Sequence, residues 1–111
     1  MAKRRPPVHP GEILKTEYLD ELGITPYRLA RDINVPVNRI TMIVNGERSV
    51  SADTALRLAR YFQTTPEFWL NLQMHYDLEI AKRTSRFVMR KEVPVAGAGL
   101  KTEDRRKSPP P

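Results

Sequence analysis

The 111 residues carry 40% hydrophobic and 29% charged side chains, as expected of one soluble globular domain with a modest core. No apolar run approaches the roughly 18 residues of a membrane span, the basic start MAKRRPPVHPGE lacks the apolar segment of a secretory signal, and the absence of cysteine removes disulfides and thiolate metal sites and suits a reducing cytoplasm. The net charge of +6 is uneven, with +3 in residues 1–5, +6 in residues 82–111 and −3 in residues 6–81, so a basic total alone is a weak argument for nucleic acid.

Five helices are expected in close succession between residues 10 and 86, with no strand-type alternation among them. His9-Pro10-Gly11-Glu12 opens the first, with proline at the first helical position and a glutamate placed for half a capping box. Ile13, Leu14, Tyr18, Leu19 and Leu22 follow at three- and four-residue spacing, and Gly23 ends the run. Thr25-Pro26 opens a short second helix carrying Leu29, Ala30 and Ile33, which Asn34-Val35-Pro36 interrupts. A third helix follows from the first turn set by Pro36 to Asn45-Gly46. Ser51 caps a fourth, ADTALRLARYF, and Thr65-Pro66 opens a long fifth, PEFWLNLQMHYDLEIAKR.

The chain therefore divides into a basic arm at residues 1–8, a body at 9–86 and a C-terminal arm and tail at 87–111. Within the last of these, RFVMRKEVPVAG is expected to form a short strand or arm, and AGAGLKTEDRRKSPPP to be disordered. The basic ends are open to two readings, as arms along DNA or as solubilising segments.

Placed on a wheel of about 100° per residue, the third helix puts Ile40, Ile43 and Val44 in one inward sector. Its opposite side presents Asn38, Thr41, Met42 and Asn45, with Val37 and Arg39 on the flanks. These are poor choices for bare water, where Glu, Lys, Gln and Ala are the usual helix formers. They match base chemistry, since Asn bonds adenine, Arg bonds guanine, and Val, Thr and Met contact a thymine methyl. The wheel alone leaves a tolerant solvent face equally open. Context adds weight to the DNA reading. A short helix, a tight break and a second short helix is helix-turn-helix spacing, in which the second helix enters the major groove. Thr25, Tyr27 and Arg28 stand at the start of the first helix of that pair, placed to hold a phosphate, and Arg48 follows the second as a further clamp.

Three segments, HPGEIL, VNRITMIVNGERSVSADTALRLARYF and TPEFWLNLQMHYDLEIA, resemble the HigA-type antitoxins of the VapI group, within the phage-repressor-like (Xre) helix-turn-helix family. The resemblance runs from residue 9 to about residue 83. It implies an all-α, five-helix repressor-like domain that forms a homodimer, binds a palindromic double-stranded operator in the cytoplasm and represses its own operon. It also implies a HigB-like partner, a RelE-type toxin that cleaves messenger RNA and that the antitoxin neutralises. By position in the motif, Val37, Asn38, Thr41 and Met42 match base-reading positions with Arg39 beside them, and Thr25, Tyr27 and Asn45 match phosphate contacts. Repressors of this kind often carry glutamine where Val37 and Met42 stand, so the operator sequence does not follow from the match.

Two further surfaces are expected. Leu72, Tyr76 and Ile80 on the distal half of the fifth helix are expected at a dimer seam, the alternative being that they only close the monomer core, where Trp69 mostly lies. A two-fold dimer would set its reading helices about 34 Å apart, one turn of DNA. Glu17, Asp20 and Glu21 make the first helix acidic, which cannot face phosphate and leaves two readings open, a surface for a basic toxin or a solvated acidic face. Alternatives are a stand-alone Xre-type regulator without a toxin, and an interaction module whose fold no longer binds DNA. The only histidines are His9 and His75, and no nucleophile, phosphate loop or metal motif accompanies them, so no enzymatic activity, cofactor, metal or small-molecule ligand is expected.

Overall fold

The computed structural model describes residues 6–97; the expectations for the arm at 1–5 and the tail at 98–111 lie outside those residues. Every described element is helical. We label them α1 (residues 10–22), α2 (Pro26–Ile33), α3 (Val37–Val44), α4 (Ala52–Phe62) and α5 (Pro66–Glu92). The chain divides into two compact units, Met1–Ile80 and Ala81–Pro111, and the candidate site residues belong to the first.

The helix starts follow local chemistry. Thr25, Ser51 and Thr65 each accept a backbone N–H three residues on through their hydroxyls, from Arg28 at 3.1 Å, Thr54 at 3.3 Å and Phe68 at 3.1 Å. For α1 the cap is His9, whose Nδ1 accepts the Gly11 N–H at 2.9 Å, rather than the glutamate of a capping box. Pro36 sits just outside α3 in extended conformation, one position earlier than the first-turn place expected for it.

Helix α1 is not uniform. Its middle, Leu14–Leu19, is π-helical, and the Asp20 N–H reaches back to the Lys15 carbonyl. One extra residue per turn shifts every later side chain by about 100° around the axis. Leu14 and Leu19 are consequently both buried, whereas Leu22, expected on the apolar stripe, is 58% exposed. The same widened turn sets Lys15 Nζ 3.0 Å from Asp20, which gives that carboxylate a counter-charge at the helix end where the dipole disfavours it.

A second correction concerns α5. The strand or arm expected after residue 86 is helix as far as Glu92. The segment contains no helix breaker, and the helix stops where Val93 precedes Pro94, a position at which the proline ring disfavours helical geometry. The core joins Leu14 and Leu19 of α1, Leu29, Ala30 and Ile33 of α2, Ile40 and Ile43 of α3, Ala55, Leu58 and Ala59 of α4, and Trp69 of α5. Trp69 is fully buried, and its indole N–H donates to the Thr64 hydroxyl at 2.9 Å.

Candidate nucleic-acid interface

The pair α2 and α3 is joined by a tight turn. Asn34 closes α2 in the left-handed region at φ 62°, with its N–H on the Arg31 carbonyl at 3.2 Å, and Val35 N–H returns to Ala30 at 3.0 Å. Arg57 of α4 holds the turn from outside. Its Nη1 donates to the Ile33 carbonyl at 2.8 Å, one of the acceptors that a helix C-terminus leaves open. The far end of α3 stops at Gly46, φ 78°, where Glu47 N–H reaches back to the Met42 carbonyl at 2.8 Å.

Behind α3 the first helix comes into backbone contact. A Cβ on Gly11 would lie 2.6 Å from the Ile43 carbonyl carbon and closer still to its oxygen, so only glycine permits this approach. Helix α5 grips the following loop, where buried Gln73 accepts the Val50 N–H at 2.8 Å and donates its own amide to Asp77 at 2.9 Å. Tyr76 meets the His9 ring edge-on, with centroids 4.8 Å apart. Burial lowers the His9 pKa below the ordinary imidazole value, and the charge of Asp77 partly offsets this.

The outward side of α3 carries Val37, Asn38 and Asn45 exposed, with Thr41 and Met42 half-buried between them. The Thr41 hydroxyl donates to the Asn38 carbonyl at 3.2 Å, which leaves its lone pairs free to accept. Arg39 lies on the flank and is half-buried. Its Nη1 is 3.5 Å from Asp53 of α4, and its Nε is buried with no acceptor among the described residues. Tyr27 is 64% exposed at the start of α2, beside Thr25. Arg28 is held by Asp32 at 3.4 Å, and Arg48 is exposed after α3. Asp32 also accepts the Tyr61 hydroxyl at 2.6 Å, a bond that lowers the acid's pKa and raises the phenol's. The structure thus gathers the expected reading residues on one helix and sets Thr25, Tyr27, Arg28 and Arg48 at its margins.

Sequence reasoning missed Asp53, Arg57 and Gln73, which position this face. Helical spacing marks only the local pairs Asp53–Arg57 and Gln73–Asp77, whereas the partners that tie them to this face lie 14 to 24 residues away. The other expected surfaces are mixed. Glu17, Asp20 and Glu21 are exposed on α1, with Asp20 paired to Lys15. Leu72 packs against the core, Tyr76 against His9, and Ile80 is 36% exposed. Met74 and Leu78, one turn apart on α5 and not singled out from the sequence, are 55% and 50% exposed. No cluster of three metal-binding side chains occurs among the described residues, and no described helix is long and apolar enough to cross a membrane.

A capped short helix, a left-handed turn and a second helix with a buried back and an amide-rich front define a helix-turn-helix protein of the phage-repressor-like class. A helix-turn-helix family pattern matches residues 16–69. Virulence-associated protein I of Dichelobacter nodosus is 45% identical over 83 residues, 75% of this chain and 77% of that protein. Pseudomonas aeruginosa antitoxin HigA, solved with the higBA promoter, superposes with a TM-score of 0.78 at 42% identity, over 81% of this chain and 98% of that one. An antidote protein of the HigA family from Coxiella burnetii gives a TM-score of 0.77 at 49% identity, over 82% and 99% of the two chains. The chain belongs to the HigA-type (VapI) family of helix-turn-helix antitoxins.

Proposed function

We propose that this protein is the antitoxin of a toxin–antitoxin pair and represses its own operon from a palindromic operator, acting in the cytoplasm. The observation that carries the DNA half is the front of α3, where Val37, Asn38 and Asn45 stand exposed on a helix whose back is fully buried at Ile40 and Ile43. Val37, Asn38, Thr41 and Met42 address base edges and Arg39 joins them from the flank. Thr25, Tyr27, Arg28, Asn45 and Arg48 hold phosphates on either side. The promoter-bound HigA relative supports this reading.

A mobility shift with the protein's own promoter tests it. Asn38→Ala is expected to weaken operator binding by about 5- to 100-fold, the worth of one good base contact. Arg48→Ala should weaken all duplexes alike and reduce the salt slope by about 0.9. Absence of any sequence-specific shift by the wild-type protein would overturn the repressor reading.

The protein acts as a homodimer paired along α5, with Tyr76 and Ile80 at the seam and Leu72 behind it. Ile80→Asp is expected to shift the mass measured by light scattering toward the monomer; an unchanged mass removes Ile80 from the seam. A RelE-like toxin is neutralised by direct contact, with Glu17, Asp20 and Glu21 facing its basic surface. The antitoxin and antidote names of the relatives support this half. Co-purification with a small basic protein encoded next to this gene is the check, and charge reversal at Glu17, Asp20 and Glu21 should weaken the complex. A chain that shifts its promoter yet retains no such partner is a stand-alone regulator instead.

A further inference from the structure

Asp53 stands in the first turn of α4, outside the reading helix, yet its Oδ2 serves two arginines. Arg57 Nε lies at 3.0 Å, and the same guanidinium caps the end of α2 through the Ile33 carbonyl at 2.8 Å and the Asn34 carbonyl at 3.4 Å. Arg39 Nη1 lies at 3.5 Å on the other side. The carboxylate is therefore fixed by a residue that is itself fixed to the helix-turn-helix turn, and Arg39 leans on it.

The geometry constrains what Arg39 can do. Its Nε is buried, so the outer edge of the guanidinium is the one available to a base. An unrestrained arginine on a groove-facing flank reaches any nearby phosphate, which adds affinity for all sequences and discrimination for none. A carboxylate beside it restricts that freedom and offsets its charge. At 3.5 Å the contact is long for a hydrogen bond, so it biases the guanidinium without locking it.

Resting on the DNA-reading assignment above, we propose that Asp53 is a specificity-determining residue that holds Arg39 toward base edges and away from indiscriminate phosphate contacts. Asp53 touches no base itself; it acts through Arg39. The Asp53 side chain is 58% exposed, and Arg57 keeps its carbonyl bonds without it, so Asp53→Asn separates specificity from folding.

The experiment measures anisotropy of the full chain on its operator and on an unrelated duplex of equal length, across salt, for wild type, D53N, D53E, R39A and R39A/D53N. D53N is expected to lower the operator-to-unrelated affinity ratio about tenfold, mainly by tighter binding to the unrelated duplex, with a salt slope steeper by about 0.9. D53E, which keeps the carboxylate, should retain most of the ratio. In the R39A background, D53N should leave the ratio unchanged. An unaltered ratio in D53N, or an equal fall with and without Arg39, overturns the proposal while leaving the repressor reading intact. A wild-type protein that does not prefer its operator overturns the repressor reading itself.

Discussion

Gly11→Ala tests whether α3 owes its placement to a backbone contact with α1. The added methyl would sit 2.6 Å from the Ile43 carbonyl carbon, 3.0 Å from the Val44 Cα and nearer still to the Ile43 oxygen, where ordinary contact begins at 3.4 Å. The two backbones must part by about 0.8 Å or more, and neither carries a side chain that can swing aside. Overpacking of this kind costs about 3 kcal/mol, and alanine's better helix propensity returns at most about 1 kcal/mol. The net loss of about 2 kcal/mol corresponds to a fall in Tm of roughly 8–16 °C for a domain of this size. Gly23→Ala is the control: φ is +67° there and nothing lies within 4 Å of the added carbon, so only the left-handed cost of about 1 kcal/mol applies. Urea unfolding followed by circular dichroism measures both, and G11A should also bind operator more weakly at temperatures far below its midpoint. If G11A proves no less stable than G23A, the contact does not position α3 and the reasoning fails.

Gln73→Ala orphans the buried Val50 N–H and is expected to cost about 1–3 kcal/mol; amide exchange at Val50 should accelerate relative to α4, and unchanged protection there would remove Gln73 from the loop's support. His9 is neutral and accepts the Gly11 N–H, and burial lowers its pKa, so the unfolded chain binds a proton first. Its contribution is present above the ordinary imidazole pKa of about 6.5 and is lost as pH falls through the folded-state value. Urea midpoints near neutrality and about two units lower should therefore diverge in the wild type and converge in His9→Asn, which keeps a cap without a titrating group; equal slopes in both proteins refute this. Trp69→Ala empties a fully buried site and forfeits the bond to Thr64, at a cost of about 3–5 kcal/mol, and a cooperative wild-type-like thermal transition in that variant would contradict the packing described.

What was legible in the sequence was local. Thr25-Pro26, Ser51 and Thr65-Pro66 announce helix starts because a hydroxyl three residues before an open N–H is a short-range geometric fact, and Asn45-Gly46 announces a stop for the same reason. The wheel placed Ile40 and Ile43 inward because a regular helix has one period. It failed on Leu22 because α1 changes period midway, and a π-helical turn leaves no mark in a pattern counted at three and four residues. It underestimates α5 because the apolar pattern weakens beyond residue 86, whereas the first residue that disfavours continuation is Pro94. Partners were harder than faces. A wheel shows that Arg39 lies on a flank but not that Asp53, 14 residues on, is waiting there.

That distinction bears on how an acidic body can address an acidic polymer. Residues 6–81 contain seven arginines and lysines against ten acids, and five of those seven are in ion pairs: Lys15 with Asp20, Arg28 and Arg31 with Asp32, Arg39 and Arg57 with Asp53. Among the described residues Arg48 and Arg60 have no such pair, and Arg48 is the one beside α3. Little positive charge is thus free to attract phosphates indiscriminately from this part of the chain, and Arg39 on the flank of α3 carries its own counter-charge. On the reading proposed above, binding by such a face draws on fitted contacts from Asn38, Val37 and their neighbours, which require α3 to be held rigidly. The Gly11 approach, the Gln73 bond to Val50 and the Arg57 cap on α2 each restrain that helix or a segment flanking it. Rigidity supplies here what surface charge does not, because a preorganised helix loses less freedom when it meets a groove and misfits the wrong sequence by more.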